Sequence, residues 1–296
     1  MVLQPVPMWF IMAQEQRAYN LSDRLIRVIT CWQNQITGLE DDDVEELIRQ
    51  GADVNRPHGT LLPLQCACMT GDSSCVQLLI EHGARVNALD GYGRAALHYA
   101  AEQDPECVSL LLDNSGNPDI PDANHDTPLH WAAFKNNHSC VKVLLQNGAS
   151  PDSLDYNKDT PLSWAAMKGN LESIEVLLQY NARIDTENDE GKSPIVRICH
   201  LIASGLSSPR DDVSLELLLR ALGQFDLRND QGQMPGIVVD DNKLSELIVP
   251  YCRSPRPLLQ LCRYSIRRHL GQCFLLNVVQ NLPLPAQLQQ YILLRS

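Results

Sequence analysis

The chain has 296 residues, of which 44% are apolar, so it can bury a sizeable core and is neither disordered nor of low complexity. No run approaches the roughly 18 apolar residues that a membrane-spanning helix needs, and the apolar run Met8–Ala13 follows two prolines and no basic residue, so neither a membrane segment nor a secretory signal is expected. The net charge of −12, from 24 basic and 36 acidic residues, argues against nucleic acid as the main partner.

The N-terminal segment, residues 1–37, is predicted to hold an irregular helix over Leu21–Ile36 that caps the elements after it. A second helix is predicted within Glu40–Asn55. The acidic run Glu40–Asp43 precedes its core, Val44–Arg49, and negative charge at that place favours a helix N-terminus. Together these two helices are interpreted as an irregular first repeat of a longer array.

An internal repeat of about five to six units occupies residues 38–235. Each full unit has an aliphatic residue near the start of its first helix, and these are spaced 33, 32, 33 and 33 residues apart: Leu64, Leu97, Leu129, Leu162 and Ile195. A second series, mostly Gly-Ala, starts at Gly51, Gly83, Gly116, Gly148 and Asn181. Two series that stay in phase over five cycles are not produced by chance.

Each repeat is predicted to form two helices and a turn. Thr127-Pro128 is typical of a helix start, because Thr caps the helix and Pro lacks an N–H that would be unpaired there. The second helix carries an aliphatic stripe, and the glycine just after it suits a left-handed backbone. One unit cannot bury its apolar face alone, so the units are expected to stack around a continuous core.

The repeat loosens after His200. Residues 204–210 are interpreted as an insertion in the loop between two helices, and Val213–Leu222 as the second helix of that unit. Residues 236–252 are predicted to end the array as a degenerate pair of helices.

The C-terminal segment, residues 253–296, has a different composition, with six arginines and no lysine, aspartate or glutamate. Leu258, Cys262 and Ile266 stand at i, i+4 and i+8, which places them on one stripe of a helix. The later Leu-Pro-Leu-Pro run, Leu282–Pro285, favours an extended chain before a short final helix.

Two of these patterns resemble known families. Thr127–Ala132, which reads Thr-Pro-Leu-His-Trp-Ala, is similar to the signature of the ankyrin repeat. Pro257–Ile266 resembles the elongin-binding half of a SOCS box, and Leu282–Pro285 resembles its cullin-binding half. The combination resembles the ankyrin repeat and SOCS box family along nearly the whole chain. That resemblance implies an all-α fold: an ankyrin-repeat solenoid of helix-turn-helix units followed by a C-terminal three-helix SOCS box.

The resemblance also implies a function, that of a non-catalytic substrate-recognition adaptor of a cullin-RING ubiquitin ligase. An elongin-binding box at 257–266 would recruit elongin B and elongin C, and a cullin box at 282–285 would select cullin five with its RING subunit. The array would bind a target protein, which is then ubiquitinated and degraded. The implied elongin-binding residues are Leu258, Cys262 and Ile266. The implied cullin-binding residues are Leu282, Pro283, Leu284 and Pro285.

Variable positions at the turn tips and on the inner face of the first helices form the candidate target-binding surface. The candidates are Tyr92, Arg94, Asn124, Asp126, Phe134, Lys135, Tyr156, Asp159, Met167 and Lys168. Phe134 and Met167 are favoured, because their positions offer less structural reason for an apolar side chain. Tyr99, Trp131 and Trp164 occupy one position of the repeat. The sequence supports target recognition and packing between repeats equally for these three residues.

Other chemistry has little support in the sequence. Cys75, Cys107 and Cys140 recur at one repeat position, which favours core residues over a metal site, and no Cys/His arrangement outside the repeat indicates covalent catalysis. No cofactor or metal is therefore expected. The alternative function is a pure ankyrin scaffold whose tail only caps the array, and the Leu-Pro-Leu-Pro run argues against it. Ten cysteines without a signal peptide predict reduced thiols and a cytoplasmic protein, with the nucleus as a second location.

Overall fold

A computed structural model of the chain describes residues 8–31, 43–206, 208–222, 234, 236–253 and 258–294. Within these ranges the regular structure is helical, apart from one isolated antiparallel bridge between His58 and Leu61. None of the helices described there is both long and apolar enough to span a membrane. Contacts between Cα atoms divide the chain into two compact units, Met1–Ala123 and Asn124–Ser296.

The described part of the first unit is built from helix pairs that stack side by side. Its helices are α1 (Met8–Cys31), α2 (Val44–Arg49), α3 (Pro63–Thr70), α4 (Ser73–Glu81), α5 (Ala96–Gln103) and α6 (Pro105–Asp113). Helix α3 packs against α1 on one side and α5 on the other, while α4 packs against α6. First helices therefore pack on first helices and second helices on second helices, as a stacked repeat requires.

Helix α1 begins at Met8 and not at Leu21, so it is much longer on its N-terminal side than predicted. Residues 13–18 are alanine, glutamine, glutamate and arginine, all good helix formers, and they extend the helix beyond its packed part. The packed part buries an apolar face with a spacing of four residues, formed by Leu21, Leu25 and Ile29. The end of the expected helix, residues 32–36, lies outside the described residues.

The second unit continues the helix pairs and ends in a separate group of three helices. Its repeat helices are α7 (Pro128–Phe134), α8 (His138–Gln146), α9 (Pro161–Lys168), α10 (Leu171–Gln179), α11 (Pro194–Leu201) and α12 (Pro209–Ala221). The later helices are α13 (Gly236–Val239), α14 (Asn242–Arg253), α15 (Leu258–Leu270), α16 (Leu275–Gln280) and α17 (Ala286–Ile292). Helix α9 packs between α7 and α11, and α10 packs between α8 and α12.

His130 joins two consecutive repeats of the second unit. The backbone N–H of Thr127 donates to Nδ1 of His130 (3.1 Å), and the Thr127 hydroxyl lies 3.0 Å from the same nitrogen. On the other side of the ring, Nε2 lies 3.1 Å from the carbonyl oxygen of Asp159 in the next repeat. The ring is fully buried, so His130 has a structural role.

The second helices contribute an aliphatic stripe to the core of the second unit, beside the buried first-helix residues Leu129 and Leu162. Their stripe is fully buried and includes Val141, Leu144, Ile174 and Leu177. The cysteines at the equivalent repeat position, Cys75, Cys107 and Cys140, are also buried, each in the core of its own repeat. Their interpretation as core residues agrees with the structure.

The structure confirms a longer connection between α11 and α12 but moves its end. A π-helical turn over Ile202–Leu206 follows α11 and contains Gly205 in a non-helical conformation (φ 72°), and α12 already begins at Pro209. The early start comes from Ser208, whose backbone N–H donates to the Asp211 carboxylate (2.6 Å) in a capping box. The sequence signal for this helix start is Ser208-Pro209 with an acidic residue, Asp211, three positions after the serine.

Helices α15 to α17 enclose a small apolar cluster of their own. Its buried members are Leu275, Val279 and Ile292. The partly buried side chains packed against them are Ile266, Leu270, Cys273, Leu282, Leu284 and Leu293. Three helices around one cluster agree with the three-helix fold expected for this segment.

We expect Leu144→Ala to lower the free energy of unfolding by about 2–5 kcal/mol, because Leu144 is fully buried and its truncation leaves a cavity. Leu154→Ala is the control, since its side chain is 46% exposed and its removal should change the stability by no more than about 0.5 kcal/mol. Urea denaturation followed by circular dichroism measures both. Equal destabilisation by the two changes would contradict the assignment of Leu144 to the core.

Candidate partner-binding surfaces

The N-terminal part of α15 presents apolar side chains to solvent. Leu258, the first residue of the helix, is 76% exposed, and Cys262, one turn later, is also exposed. Leu261 beside them is partly exposed as well. An exposed apolar patch at a helix end is a candidate docking site for a partner groove.

The structure separates Ile266 from the other two residues of the expected elongin-binding stripe. Ile266 is half-buried and packs against the cluster inside the C-terminal three helices. The cluster formed with α16 and α17 reaches Ile266 and Leu270 of α15, whereas Leu258 and Cys262 are exposed, so the stripe runs from solvent into the cluster. Leu258 and Cys262 are therefore the accessible pair, and Ile266 holds their helix in place.

The Leu-Pro-Leu-Pro run alternates between inward and outward side chains. Leu282 and Leu284 are half-buried against the apolar cluster, whereas Pro283 and Pro285 are exposed. Pro285 is extended (φ −55°, ψ 144°) just before α17 begins, as two prolines so close together favour. A partner can thus reach the two prolines, while the two leucines contribute to the fold of the segment.

The candidate target-binding residues differ in how far their side chains are exposed to solvent. The exposed ones are Tyr92, Asn124, Lys135, Tyr156 and Lys168. The half-buried ones are Arg94, Phe134 and Met167. Asp126 and Asp159 are buried, each only 4% exposed, and this corrects their interpretation as target-binding residues.

Asp159 is buried because the following repeat surrounds it with donors. Its carboxylate accepts hydrogen bonds from the Arg197 guanidinium, through Nε (3.2 Å) and Nη2, and from Nδ2 of Asn188 (3.1 Å). Both donors come from the next repeat, about 30–40 residues further along the chain, a distance typical of neighbouring units. The acid therefore stabilises the stacking of two repeats and is not available to a target.

Arg94 also has a structural partner in its own unit. Its Nε lies 3.5 Å from a carboxylate oxygen of the buried Asp122, and its guanidinium lies 5.8 Å from the ring centre of Tyr99. A guanidinium held between a carboxylate and an aromatic face loses much of its freedom to bind elsewhere. Tyr92, which is 64% exposed in the adjacent turn, is the freer side chain of this hairpin.

Phe134 belongs to an aromatic cluster with Trp131 and Trp164. Its ring centre lies 6.2 Å from that of Trp131 and 5.5 Å from that of Trp164, both in edge-to-face geometry. The two tryptophans are 5.7 Å apart in the same geometry, and Nζ of Lys168 lies 4.5 Å from the Phe134 ring centre. Phe134 thus has the same packing reason to be aromatic as the tryptophans. The expectation that its position lacked such a reason is wrong.

Two aspartates that sequence reasoning missed determine the orientation of two ring residues. The Tyr99 hydroxyl donates to the Asp90 carboxylate (2.5 Å), and Nε1 of Trp164 donates to the Asp155 carboxylate (3.0 Å). Burial and the Asp90 carboxylate raise the pKa of the Tyr99 phenol. The signal was an aspartate nine residues before each aromatic residue. These bonds favour packing over recognition for Tyr99 and Trp164.

The buried thiols are not activated. Burial raises the pKa of the Cys66 thiol to about 11 and the pKa values of Cys75 and Cys107 to about 12. At neutral pH these three groups are protonated, whereas a nucleophilic cysteine needs a lowered pKa and access to solvent. Among the described residues, the chemistry of these thiols is that of small core side chains.

Comparison with known proteins agrees with this division into an array and a C-terminal segment. The family profile for ankyrin repeats in three copies matches residues 36–122 and 103–188, and the SOCS box profile matches residues 254–293. The fold and these matches define an all-α ankyrin-repeat protein with a C-terminal SOCS box.

The chain belongs to the ankyrin repeat and SOCS box family. It is 54% identical over 287 residues to Ankyrin repeat and SOCS box protein 8 of Bos taurus, Mus musculus and Homo sapiens, over 97% of this chain and 98% of each relative. The family resemblance predicted from the motifs is thereby confirmed. Membership supports the role of a ubiquitin-ligase substrate adaptor, in which the SOCS box indicates binding to elongin and cullin complexes.

We expect Phe134→Ala to lower the free energy of unfolding by about 1–2 kcal/mol, between the values for exposed and fully buried phenylalanines, because Phe134 is half-buried between two tryptophans. Tyr156→Ala removes a ring that is 75% exposed and should change stability by no more than about 0.5 kcal/mol. Thermal and urea denaturation measure both variants. If Phe134→Ala were as neutral as Tyr156→Ala, the cluster would have no structural role.

Proposed function

We propose that the chain is the target-binding subunit of a cullin-RING ubiquitin ligase that contains elongin B, elongin C and cullin five with its RING subunit. The chain brings a target protein to the ligase, other subunits transfer ubiquitin, and the target is degraded. The exposed Leu258 is the single observation that carries the proposal. This function requires no cofactor, and it places the protein in the cytoplasm, with the nucleus as a second location.

The proposal keeps the division of the chain into four parts. Residues 1–37 cap the array, 38–235 form the ankyrin repeats, 236–252 close the array and 253–296 form the SOCS box. The matches to residues 36–188 and 254–293 support the second and fourth of these parts.

Elongin C is proposed to bind the first turns of α15. An exposed leucine on a helix end costs free energy in water, and covering it with an apolar groove recovers about 25 cal/mol for each Å² that is buried. Cys262, one turn further on, is small enough to enter such a groove without steric conflict. A scaffold protein whose tail only caps the array has no use for an apolar patch that points away from the array.

Cullin five is proposed to contact the exposed prolines of the Leu-Pro-Leu-Pro run. Pro283 and Pro285 lie on the outside of the SOCS box and their rigid rings lose little conformational entropy on binding. Leu282 and Leu284, which alternate with the prolines, hold the run against the box, so the contact surface is preorganised.

The target is proposed to bind exposed residues of the array, with tyrosines as its main contacts. Tyr92 and Tyr156 are 64% and 75% exposed in turns of the array. A tyrosine offers a large, rigid surface with a polar end, which is why it is frequent among residues that dominate binding energy. Asn124, Lys135 and Lys168 are the accessible polar candidates.

The combined change Leu258→Asp and Cys262→Phe should weaken elongin binding by about thirtyfold for each residue, because a central apolar contact contributes about 2 kcal/mol or more. Calorimetric titration of the purified chain with the elongin B–elongin C complex measures the affinity. Leu288→Asp on α17, where the leucine is 38% exposed, is the matched control and should bind as the wild type does. If the double variant bound elongins as tightly as the wild type, the function of a pure ankyrin scaffold would be favoured over that of a ligase subunit.

Pro283→Ala with Pro285→Ala should keep elongin binding but weaken cullin five binding by about tenfold or more, because both exposed contacts are lost while the cluster stays intact. Pull-down with purified cullin five, in the presence of the elongins, measures this. In contrast, Leu282→Ala with Leu284→Ala should lower the melting temperature of the box and weaken both contacts, since these leucines pack inside it. Equal behaviour of the two pairs would contradict the division into inner and outer residues.

A further inference from the structure

Helix α15 carries two buried arginines on one face. Arg263 and Arg267 are 3% and 5% exposed and stand four residues apart, so they lie on the same side of the helix. Arginine is rarely buried to this degree unless its charge is compensated. The groups around the two guanidinium groups must therefore compensate their charge.

Each guanidinium connects an array helix to the last helix of the SOCS box. Nη2 of Arg267 donates to the carbonyl oxygen of Leu178 in α10 (2.6 Å), and Nη1 donates to that of Ile292 in α17 (3.2 Å). Arg263 repeats the arrangement one turn earlier. Its Nη2 donates to the carbonyl oxygen of Arg220 in α12, and its Nη1 to that of Tyr291 in α17 (3.5 Å).

All four acceptors lie in the last turn of a helix. Carbonyl groups there lack the N–H of a following helical turn, and the helix dipole makes that end negative. The carbonyl oxygens of Leu178 and Tyr291 also accept the backbone N–H of Asn181 (3.1 Å) and Leu294 (3.2 Å). A planar guanidinium can donate to two such ends at once, which an ammonium group cannot match in geometry. Desolvation lowers the pKa of Arg267 to about 10, so the group remains protonated at neutral pH.

Neighbouring contacts strengthen the same junction. Asn181 stands, with φ 63°, at the place that glycine occupies after the second helices of earlier repeats, and its Nδ2 donates to the carbonyl oxygens of Arg267 (2.7 Å) and Gly271. The Tyr264 hydroxyl donates to the carboxylate of Asp185 in the array (3.0 Å). The replacement of glycine by asparagine in this repeat thus has a structural reason.

We propose that Arg263 and Arg267, which we call the arginine clamp, are positioning residues that hold the SOCS box in one orientation on the last array helices. The clamp determines where a target held by the array stands relative to the ubiquitin-carrying subunits. This inference rests on the proposed ligase function. A rigid connection matters there, because transfer to a lysine requires the reacting groups to meet in a defined geometry.

The first test is hydrogen exchange of the full chain bound to elongins B and C. Arg267→Met keeps an apolar stem of similar length but removes both hydrogen bonds to carbonyls, so amides near 178–185 and 263–272 should exchange about tenfold faster or more. Arg268→Met changes the exposed neighbouring arginine and is the matched control. Arg267→Lys keeps the charge and should restore part of the protection.

Asn181→Gly is the second variant, because it cannot fail through misfolding at that site. Glycine adopts φ 63° without strain, so the change relaxes the backbone and removes only the two side-chain bonds, to Arg267 in α15 and to Gly271 just after it. It should loosen the same amides near 263–272. Elongin affinity should be unchanged in all these variants, since Leu258 and Cys262 are not altered.

The functional test uses self-ubiquitination of the reconstituted ligase, with lysine sites mapped by mass spectrometry. All six lysines of the chain precede the SOCS box: Lys135, Lys142, Lys158, Lys168, Lys192 and Lys243. With a fixed box, ubiquitin should concentrate on few of them. Arg267→Met and Asn181→Gly should spread it over more lysines, whereas Arg268→Met should retain the wild-type distribution.

The outcomes separate the clamp from the ligase function. If the wild-type chain failed to bind elongins, the proposed function would be wrong, and exchange measured on the chain alone would still decide the clamp. If the wild type were active but neither clamp variant altered exchange or the lysine distribution, the positioning role would be overturned. Loss of elongin binding in Arg267→Met would also overturn it, because the arginine would then support the box fold itself.

Discussion

The dependence of each helix pair on its neighbour is the constraint from which the rest of the structure follows. A single pair cannot bury its apolar stripe, so consecutive pairs must stack in register. In the second unit, polar groups fix that register: His130 reaches the carbonyl oxygen of Asp159, and the Asp159 carboxylate receives Arg197 from the repeat beyond. The buried polar residues thus hold the stacking geometry, while the aliphatic stripe supplies the free energy.

Those features that the repeat period determines could be predicted from the sequence. The starts of α7 and α9, the buried stripe of α8 and α10 and the core cysteines all follow from two residue series spaced by about 33 positions. Features that depart from the period are harder to predict from the sequence. Helix α1 extends through helix-forming residues that have no counterpart in the repeat, and α12 starts at a capping box inside an apparent insertion.

Exposure at the candidate site could not be read from the repeat position alone. Asp126 and Asp159 occupy turn positions that resemble variable surface sites, yet both are buried. For Asp159 the reason lies in side chains of the following repeat, Arg197 and Asn188, whose direction the linear sequence does not reveal. Similarly, Phe134 has no obvious packing partner in sequence, because Trp164 that covers it belongs to the next unit of the array.

The end of a stacked array is its weakest place, since the last repeat has no neighbour to cover it. Helix α13 packs against α11 at that end, and α15 binds beside it to the C-terminal ends of α10 and α12 through its arginines, next to the ring contact between Tyr180 and Phe274 (4.8 Å). This arrangement leaves the apolar Leu258 and Cys262 on the other side of the helix, free for a partner. A cap with an apolar inner face could slide along the array, because apolar contacts have little directionality. Hydrogen bonds to four defined carbonyl oxygens permit one position. The same helix can therefore keep a fixed orientation on the array while its exposed residues contact a partner.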